Sequence, residues 1–275
     1  MTVYRLTTLI TLCLLGSIAY AQPKLKKVWE TDELPVPESV LLDQKTNTLY
    51  VSLIGEGDAA ALDGNGGIAK LDLNGKIIQK DWAKGLNSPK GLGLFQDKLY
   101  VADLKELVII NTKNGKIIQR LPFPEAGMLN DVTVDAQGNV FVSDSKGGTI
   151  YQVAQGKAHV FLAHLVNPNG VLADGSDLYF LDSGTLYKAN QTQQVSKIAE
   201  GMEKSTDGLQ HYGNDFLVSC WAGVLYHVPK DGAVHMLLDT RKEKINTADF
   251  TFDNQSHMLY LPTFFKNCVI AYKIE

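Results

Sequence analysis

The sequence predicts an all-β fold, a six-bladed β-propeller with four-stranded blades that an N-terminal strand closes. Three observations predict it. One strand-like motif recurs six times, each copy is flanked by further short strand-like runs, and almost no helical periodicity is visible.

The recurring motif is a short apolar strand that ends in a small or polar residue. Its copies start 50, 41, 38, 38 and 43 residues apart. They are LYVSL at 49–53, LYVAD at 99–103, VFVSD at 140–144, LYFLD at 178–182, FLVSC at 216–220 and LYLPT at 259–263. A period near forty residues with short strands is typical of propeller blades.

The neighbouring runs complete the blades. A shorter apolar run precedes each copy and a strand-like run follows it, so three strands are present in all six repeats. Five repeats continue with a fourth strand, whereas the sixth ends at Glu275 without one. The segment KLKKVWE, residues 24–30, has the length and character of the missing strand. We expect it to pair with the last blade, because ring closure removes exposed sheet edges.

The N-terminal residues have the pattern of a secretory signal. Arg5 precedes a short apolar run, and Ala19-Tyr20-Ala21 supplies the small residues of a cleavage site. We expect residues 1–21 to be a signal peptide and residues 22–275 to be one propeller domain, secreted or periplasmic. The alternative for the first segment is an N-terminal strand or an anchor helix.

Composition excludes some classes of function. The formal net charge is −4 and no basic block occurs, so we expect no nucleic-acid partner. After the signal there is no second long apolar segment, so we expect no membrane span. No nucleophile elbow and no zinc motif is present. Whether Cys220 and Cys268 pair, and what the oligomeric state is, stay open.

A residue at the start of the innermost strand recurs in a way that predicts a site. Counting back from the recurring strand gives the equivalent positions Glu38, Lys90, Asn130, Asn169, Asp207 and Ala248. Innermost strands surround the channel of a propeller, so these side chains are expected to form one ring. The alternative is that Asn-Asp, Asn-Gly and Asp-Gly make tight turns between blades.

Four of the six ring positions carry oxygen donors: Glu38, Asn130, Asn169 and Asp207. Two carboxylates and two amide carbonyls suit a hard divalent cation, with water or substrate completing the coordination. We expect calcium, which is abundant outside the cell. Lys90 brings a positive charge to the same ring. It either binds an anionic group of a substrate or pairs with Glu38 or Asp207, and in the second case it replaces the metal's charge.

These motifs resemble the senescence-marker-protein and gluconolactonase family, with the related diisopropylfluorophosphatase and luciferin-regenerating enzymes. The carrying motifs are PES at 37–39, LND at 129–131, PNG at 168–170 and TDG at 206–208. The resemblance covers all six blades and implies that Glu38, Asn169 and Asp207 ligate a divalent ion, with Asn130 beside it as ligand or substrate contact. Met128 stands where lactonases acting on sugar acids carry Arg, so no sugar substrate is carried over.

The leading hypothesis is an exported calcium-dependent hydrolase of a lactone or similar ester, with a small-molecule substrate. In it the metal ligands are Glu38, Asn130, Asn169 and Asp207, and Asp207 is the catalytic base or nucleophile. Asn130 and Lys90 bind the substrate. The alternative is a non-catalytic propeller with a structural metal, whose mouth binds a ligand or a protein.

Other side chains are expected near the mouth of the channel. Trp221 and the Phe264-Phe265 pair form an apolar wall or, equally well, pack in the core. The loop from Leu53 to Gly67 is either a lid or an insertion without function. The aspartates Asp103, Asp144 and Asp182, which follow second strands, are expected to cap turns.

Overall fold

The computed structural model describes residues 23–31 and 33–275, so the expected signal peptide lies outside the described residues. The first strand is β1 (Leu25–Glu30). Blade one contains β2 (Pro37–Asp43), β3 (Thr48–Leu53), β4 (Gly66–Asp72) and β5 (Ile77–Leu86). Blade two contains β6 (Pro89–Phe95), β7 (Lys98–Asp103), β8 (Glu106–Asn111) and β9 (Ile117–Pro122).

The remaining blades follow the same order. Blade three contains β10 (Leu129–Val134), β11 (Val140–Asp144), β12 (Thr149–Ala154) and β13 (Lys157–Leu162). Blade four contains β14 (Pro168–Asp174), β15 (Asp177–Asp182), β16 (Thr185–Ala189) and β17 (Val195–Ala199). Blade five contains β18 (Thr206–Tyr212), β19 (Asp215–Cys220), β20 (Val224–Val228) and β21 (His235–Asp239).

Blade six is closed by the first strand of the chain. It contains β22 (Thr251–Asp253), β23 (Met258–Pro262) and β24 (Val269–Ile274), with β1 paired antiparallel to β24. The register runs from Leu25 opposite Ile274 to Glu30 opposite Ile270. All six sheets are therefore four-stranded, and the predicted fold class and the predicted closure are both confirmed.

Burial explains why the second strand of each blade was the easiest to find in the sequence. Every residue of β3 is buried, because side chains on both of its faces pack against neighbouring blades. The fourth strand β9, by contrast, is exposed at four of its six positions, which matches its mixed composition. Apolar contact between successive sheets thus forms a core that runs around the whole ring.

Two features complete the description. Cys220 and Cys268 are both buried and both free, so they do not form a disulfide. Within residues 23–31 and 33–275, no helix has the length and apolar character needed to cross a membrane.

The closing strand is held by the side chain of Trp29. Its indole Nε1 donates to the Leu73 carbonyl at 3.0 Å, and its ring lies 5.7 Å from that of Tyr260. A Trp29→Ala substitution is expected to lower the free energy of unfolding by about 2–4 kcal/mol, because it removes these contacts and leaves a cavity between blades six and one. Chemical denaturation measures it.

The matched control lies next to it on the same strand. Val28 is 52% exposed, so Val28→Ala is expected to change the stability by less than about 0.5 kcal/mol. Equal stability of the two variants would contradict the assigned role of β1.

Candidate metal and ligand site at the channel mouth

One cavity at the end of the central channel brings the predicted ring residues together. Its volume is about 590 Å³. Glu38, Lys90, Asn130, Asn169 and Asp207 all line it, although they come from five different blades. The sixth predicted position, Ala248, is fully buried against Ile54 and Phe264 and contributes no polar atom.

A repeated β-bulge aims these five side chains. In blades one to five the pairing of the first strand is interrupted by a register shift close to its start, as between Pro168 and Val171 in β14. The ring residue lies within each interruption. Bulges bend a strand and redirect a side chain, so the same irregularity points five side chains into one cavity.

The two Gly-containing motifs are therefore not turns, which was the alternative interpretation. Asn169-Gly170 lies inside β14 and Asp207-Gly208 inside β18. A Cβ at Gly170 would collide with the backbone carbonyl of Asp207, and a Cβ at Gly208 would collide with the Asp249 carboxylate. Glycine is needed at these positions because neighbouring first strands approach closely near the axis.

Three aspartates hold the backbone that leads into the ring. Asp103 accepts from the Asn87 and Ser88 amides, and its closest contact, with the Ser88 amide, is 2.7 Å long. Asp144 accepts from Gly127 and Met128 in the same way, and Asp182 accepts from Val166 and Asn167. Each carboxylate fastens the segment two to three residues before a ring residue. We expected these aspartates only to cap turns, whereas their hydrogen bonds also fix the segments that lead into the ring.

Side-chain hydrogen bonds orient the two ring amides. Asn169 donates its Nδ2 to Asp207 Oδ1 at 2.9 Å, and Asn130 donates its Nδ2 to Ser145 Oγ at 3.0 Å. Ser145 in turn donates to the Pro168 carbonyl at 2.7 Å. Because both amide nitrogens are engaged as donors, the carbonyl oxygens of Asn130 and Asn169 remain available as acceptors.

Two buried oxygens in the cavity have no partner among the residues that the structure describes. Glu38 Oε2 and Asn169 Oδ1 accept no hydrogen bond from any of them, although most buried acceptors do. The other Glu38 oxygen, Oε1, lies 3.7 Å from Lys90 Nζ, an ion pair in which both side chains are buried. Lys90 therefore lies beside Glu38, one of the two partners that the sequence left open.

The environment raises the pKa of the ring carboxylates. Burial raises the pKa of Glu38 to about 6, and the Lys90 ammonium opposes this rise. Burial, with the Glu38 and Asp249 charges, raises the pKa of Asp207 well above its ordinary value. The Asp207 shift therefore reports a site in which Lys90 does not fully offset the charge of the neighbouring carboxylates.

A second layer of carboxylates lies below the ring and was missed in the sequence. Asp131 is buried and accepts from the Val171 amide at 2.7 Å. Asp249 is buried and accepts from Ser39 Oγ at 2.5 Å. A sequence pattern for this second layer was present, because Ser39, Asp131 and Asp249 each directly follow a ring position.

The ring fits a hard divalent cation. Among the described residues, no group of three or more His, Cys, Asp and Glu side chains is arranged to hold a metal ion. The candidate ligand set differs from such groups because half of it is amide. Its buried unpartnered oxygens and its excess negative charge are the properties that a calcium site requires.

The loop between β3 and β4 is anchored over the same end of the molecule. Ser88 Oγ donates to the Ala59 carbonyl at 2.7 Å, and Ala59 packs against the cluster that contains Ile54 and Phe264. Trp221 and Phe264 line the cavity, as one of the two interpretations expected. The side chain of Lys266, which follows the Phe264-Phe265 pair, forms an ion pair with Glu30.

Comparison with known proteins shows the fold. No protein-family model matches the chain, and no curated protein matches it. Among solved structures, one described as a gluconolactonase has a TM-score of 0.68 at 14% identity and covers 93% of each chain. A luciferin-regenerating enzyme has a TM-score of 0.66 at 13% identity, covering 92% of this chain and 95% of its own.

A third similar structure carries a different chemistry. Virginiamycin B lyase from Staphylococcus aureus, solved as an inactive variant with quinupristin, has a TM-score of 0.65 at 12% identity. The match covers 92% of this chain and 99% of the lyase. The structural resemblance to gluconolactonase and luciferin-regenerating enzyme that the motifs predicted is thus present. At these identities it defines the fold, which hosts several activities.

The raised pKa of Glu38 makes a prediction for the metal-free protein. Between pH 4.5, its ordinary pKa, and about 6, the unfolded chain releases a proton that the folded chain keeps. The contribution of protonated Glu38 to the free energy of unfolding therefore falls as the pH rises. It is about 2 kcal/mol at low pH and is lost above about pH 6. Glu38→Gln lacks this titration.

The measurement is the free energy of unfolding of both proteins in chelator at pH 4 and pH 7.5. The stability of the wild type relative to Glu38→Gln is expected to be about 2 kcal/mol lower at the higher pH. The Glu38 charge also raises the pKa of Asp207 and Asp249, so its loss in Glu38→Gln changes their titration too, in the direction that adds to this difference. A pH-independent difference would contradict the assigned environment of Glu38.

Proposed function

We propose that this protein is a metal-dependent hydrolase of a lactone or a similar ester, and that its cation is calcium. The observation that carries the proposal is the pair of buried, unpartnered oxygens on Glu38 and Asn169, which lie beside Asp207 and Asn130 in a cavity of about 590 Å³. Export through the signal pattern of residues 1–21 is part of the same proposal, because calcium is abundant outside the cell.

In this proposal Glu38, Asn130, Asn169 and Asp207 hold the ion, which when bound polarises the carbonyl or phosphoryl oxygen of an ester. Asp207 accepts a proton from the attacking water at its carboxylate, or attacks directly. The 2.9 Å hydrogen bond from Asn169 orients the Asp207 carboxylate for either role.

Two further residues act on the substrate. The amide nitrogen of Asn130 is held by Ser145, and Asn130 orients the oxygen of the bound substrate. Lys90 is buried beside Glu38 and contributes a positive charge near the negative charge that develops on the ester oxygen. The substrate is a small molecule, since the cavity matches the size of ordinary ligand pockets.

The second candidate is a propeller that binds a ligand without turnover. The ion pair between Lys90 and Glu38 favours it, because Lys90 already neutralises part of the ring charge. The two candidates differ in one respect: a catalytic ion keeps an open position for water or substrate, while a structural ion is closed by protein oxygens.

The first test combines calcium binding with turnover. Purified protein is assayed on a panel of lactones and aryl esters with calcium and with chelator. We expect binding together with chelator-sensitive hydrolysis. Asp207→Asn is expected to stay folded and to lose at least about 10²-fold in turnover, because it removes the base. Glu125→Gln, an exposed acid before blade three, is the control and keeps its activity.

Full activity of Asp207→Asn would contradict the role of Asp207 as base or nucleophile. Calcium binding without hydrolysis across a broad panel would favour the binding propeller, and absence of calcium binding would contradict the metal site itself.

The role of Lys90 is tested separately. Lys90→Met removes a buried positive charge from the ring, so it is expected to tighten calcium binding by about tenfold or more. Calorimetric titration measures this. Lys204→Met, which changes an exposed lysine of the same cavity, is expected to alter the affinity less than about threefold, because solvent screens it. Unchanged or weaker binding by Lys90→Met would contradict repulsion between Lys90 and the ion.

A further inference from the structure

The wall of the cavity contributed by blades five and six is aromatic and partly exposed. Trp221 is 39% exposed and Phe265 is 63% exposed, while Phe264 is buried beneath them. The Trp221 ring lies 5.6 Å from the Phe264 ring and 6.0 Å from the Phe265 ring, both edge to face. Trp221 and Phe264 line the cavity directly. We call these three residues the aromatic wall.

The backbone holds the aromatic wall in a strained position. Phe264 has φ 50°, in the left-handed region that a large side chain rarely adopts. The short 3₁₀ helix Phe264–Lys266 ends at Asn267, whose Oδ1 accepts from the Val36 amide and whose carbonyl accepts from Leu34. Strain of this kind persists only where the surrounding structure enforces it, and it concentrates at ligand sites.

Trp221 is held from the other side. Its backbone amide donates to the Ser205 carbonyl at 2.8 Å, and its carbonyl accepts from Asn246 Nδ2 at 2.8 Å. Ser205 Oγ accepts from the Ala222 amide, so this serine supports the Trp221 turn. The indole thus projects from a fixed backbone rather than from a loose loop.

The remaining lining residues add both apolar and polar surface to the cavity. Met128 and the 78%-exposed Val166 add further apolar surface from blades three and four. The polar side chains Asn167, Ser183 and Lys204 lie around blade four. Exposed apolar surface that is contiguous with a cavity and rimmed by polar residues marks a ligand site.

We infer that the aromatic wall is the specificity subsite of the cavity, and that it selects esters bearing an aromatic or alkyl substituent over unsubstituted or polyhydroxylated ones. This inference rests on the proposed function. The ring Glu38, Asn130, Asn169 and Asp207 takes the ester group, and Trp221 and Phe265 cover the apolar substituent. Burial of the substituent removes apolar surface of both ligand and wall from water.

The test uses binding of stable analogues, so that it does not depend on turnover. The probes are 2-pyrrolidinone and 4-phenyl-2-pyrrolidinone, cyclic amides that differ only by a phenyl group. They are titrated into the calcium-containing protein and followed by NMR of the indole N–H signals. The chain has three tryptophans, and the signal of Trp221 is expected to shift, while those of Trp29 and Trp82, which pack between strands, stay in place.

The phenyl lactam is expected to bind about tenfold more tightly than 2-pyrrolidinone. Trp221→Ala and Phe265→Ser are each expected to reduce that preference below about threefold, and calcium titration of each variant checks that the ring is intact. Trp221→Phe is expected to retain most of the preference. Met236→Ala, which changes an exposed apolar residue on β21 away from the cavity, is the control and keeps it fully.

Equal binding of the two lactams, no binding of the phenyl lactam at about 10 mM, or a preference that survives both wall variants would overturn the inference. Its failure is distinguishable from failure of the proposed function. A phenyl preference without ester hydrolysis would support the subsite and contradict the hydrolase function. Calcium-dependent hydrolysis without a phenyl preference would support the hydrolase function and contradict the subsite.

Discussion

The close approach of the first strands around one axis is the constraint on which the rest of this molecule depends. It requires glycine at 170 and 208, where a Cβ would collide with the neighbouring blade. It is maintained by closure of the last sheet through β1 and by aspartates such as Asp144 that fasten the segments entering the ring. The site is a consequence of this geometry, because each bulged first strand supplies one side chain to a shared cavity.

The same convergence creates an electrostatic problem. Burial raises the pKa of Glu38, Asp131, Asp207 and Asp249, and the charges of neighbouring carboxylates add to the rise for the three aspartates. Among the described residues, Lys90 is the only buried lysine or arginine. Buried charge without compensation is unfavourable, so the ring either keeps protons or binds a cation. The unpartnered oxygens of Glu38 and Asn169 favour the cation, and the proposed hydrolase chemistry follows from that choice.

Much of the architecture could be predicted from the sequence because it repeats. Fully buried strands such as β3 give nearly continuous apolar runs, and the missing fourth strand of blade six pointed to residues 24–30. The ring was predictable because equivalent positions in a repeat occupy equivalent places around an axis. Ala248 shows the limit, since blade six begins with a short strand at Thr251 and this position packs in the core.

What could not be predicted depends on contacts between blades. A bulge is a one-residue change of register and leaves no composition signal, so Asn169-Gly170 was equally consistent with a turn. The Asp131 and Asp249 layer was overlooked because a single carboxylate near a strand start resembles a turn residue. The partner of Lys90 could be identified only from the distance between Lys90 and Glu38. The backbone strain at Phe264 could be identified only from its φ angle.

The proposed hydrolase chemistry requires that the ring hold a divalent cation. A crystal structure of the protein soaked in Mn²⁺, which scatters anomalously and takes the oxygen ligands that calcium prefers, tests this. We expect one strong anomalous peak within about 2.0–2.6 Å of Glu38 Oε2, Asn169 Oδ1 and a carboxylate oxygen of Asp207. A cavity without a peak, with Lys90 Nζ placed between Glu38 and Asp207 instead, would contradict it.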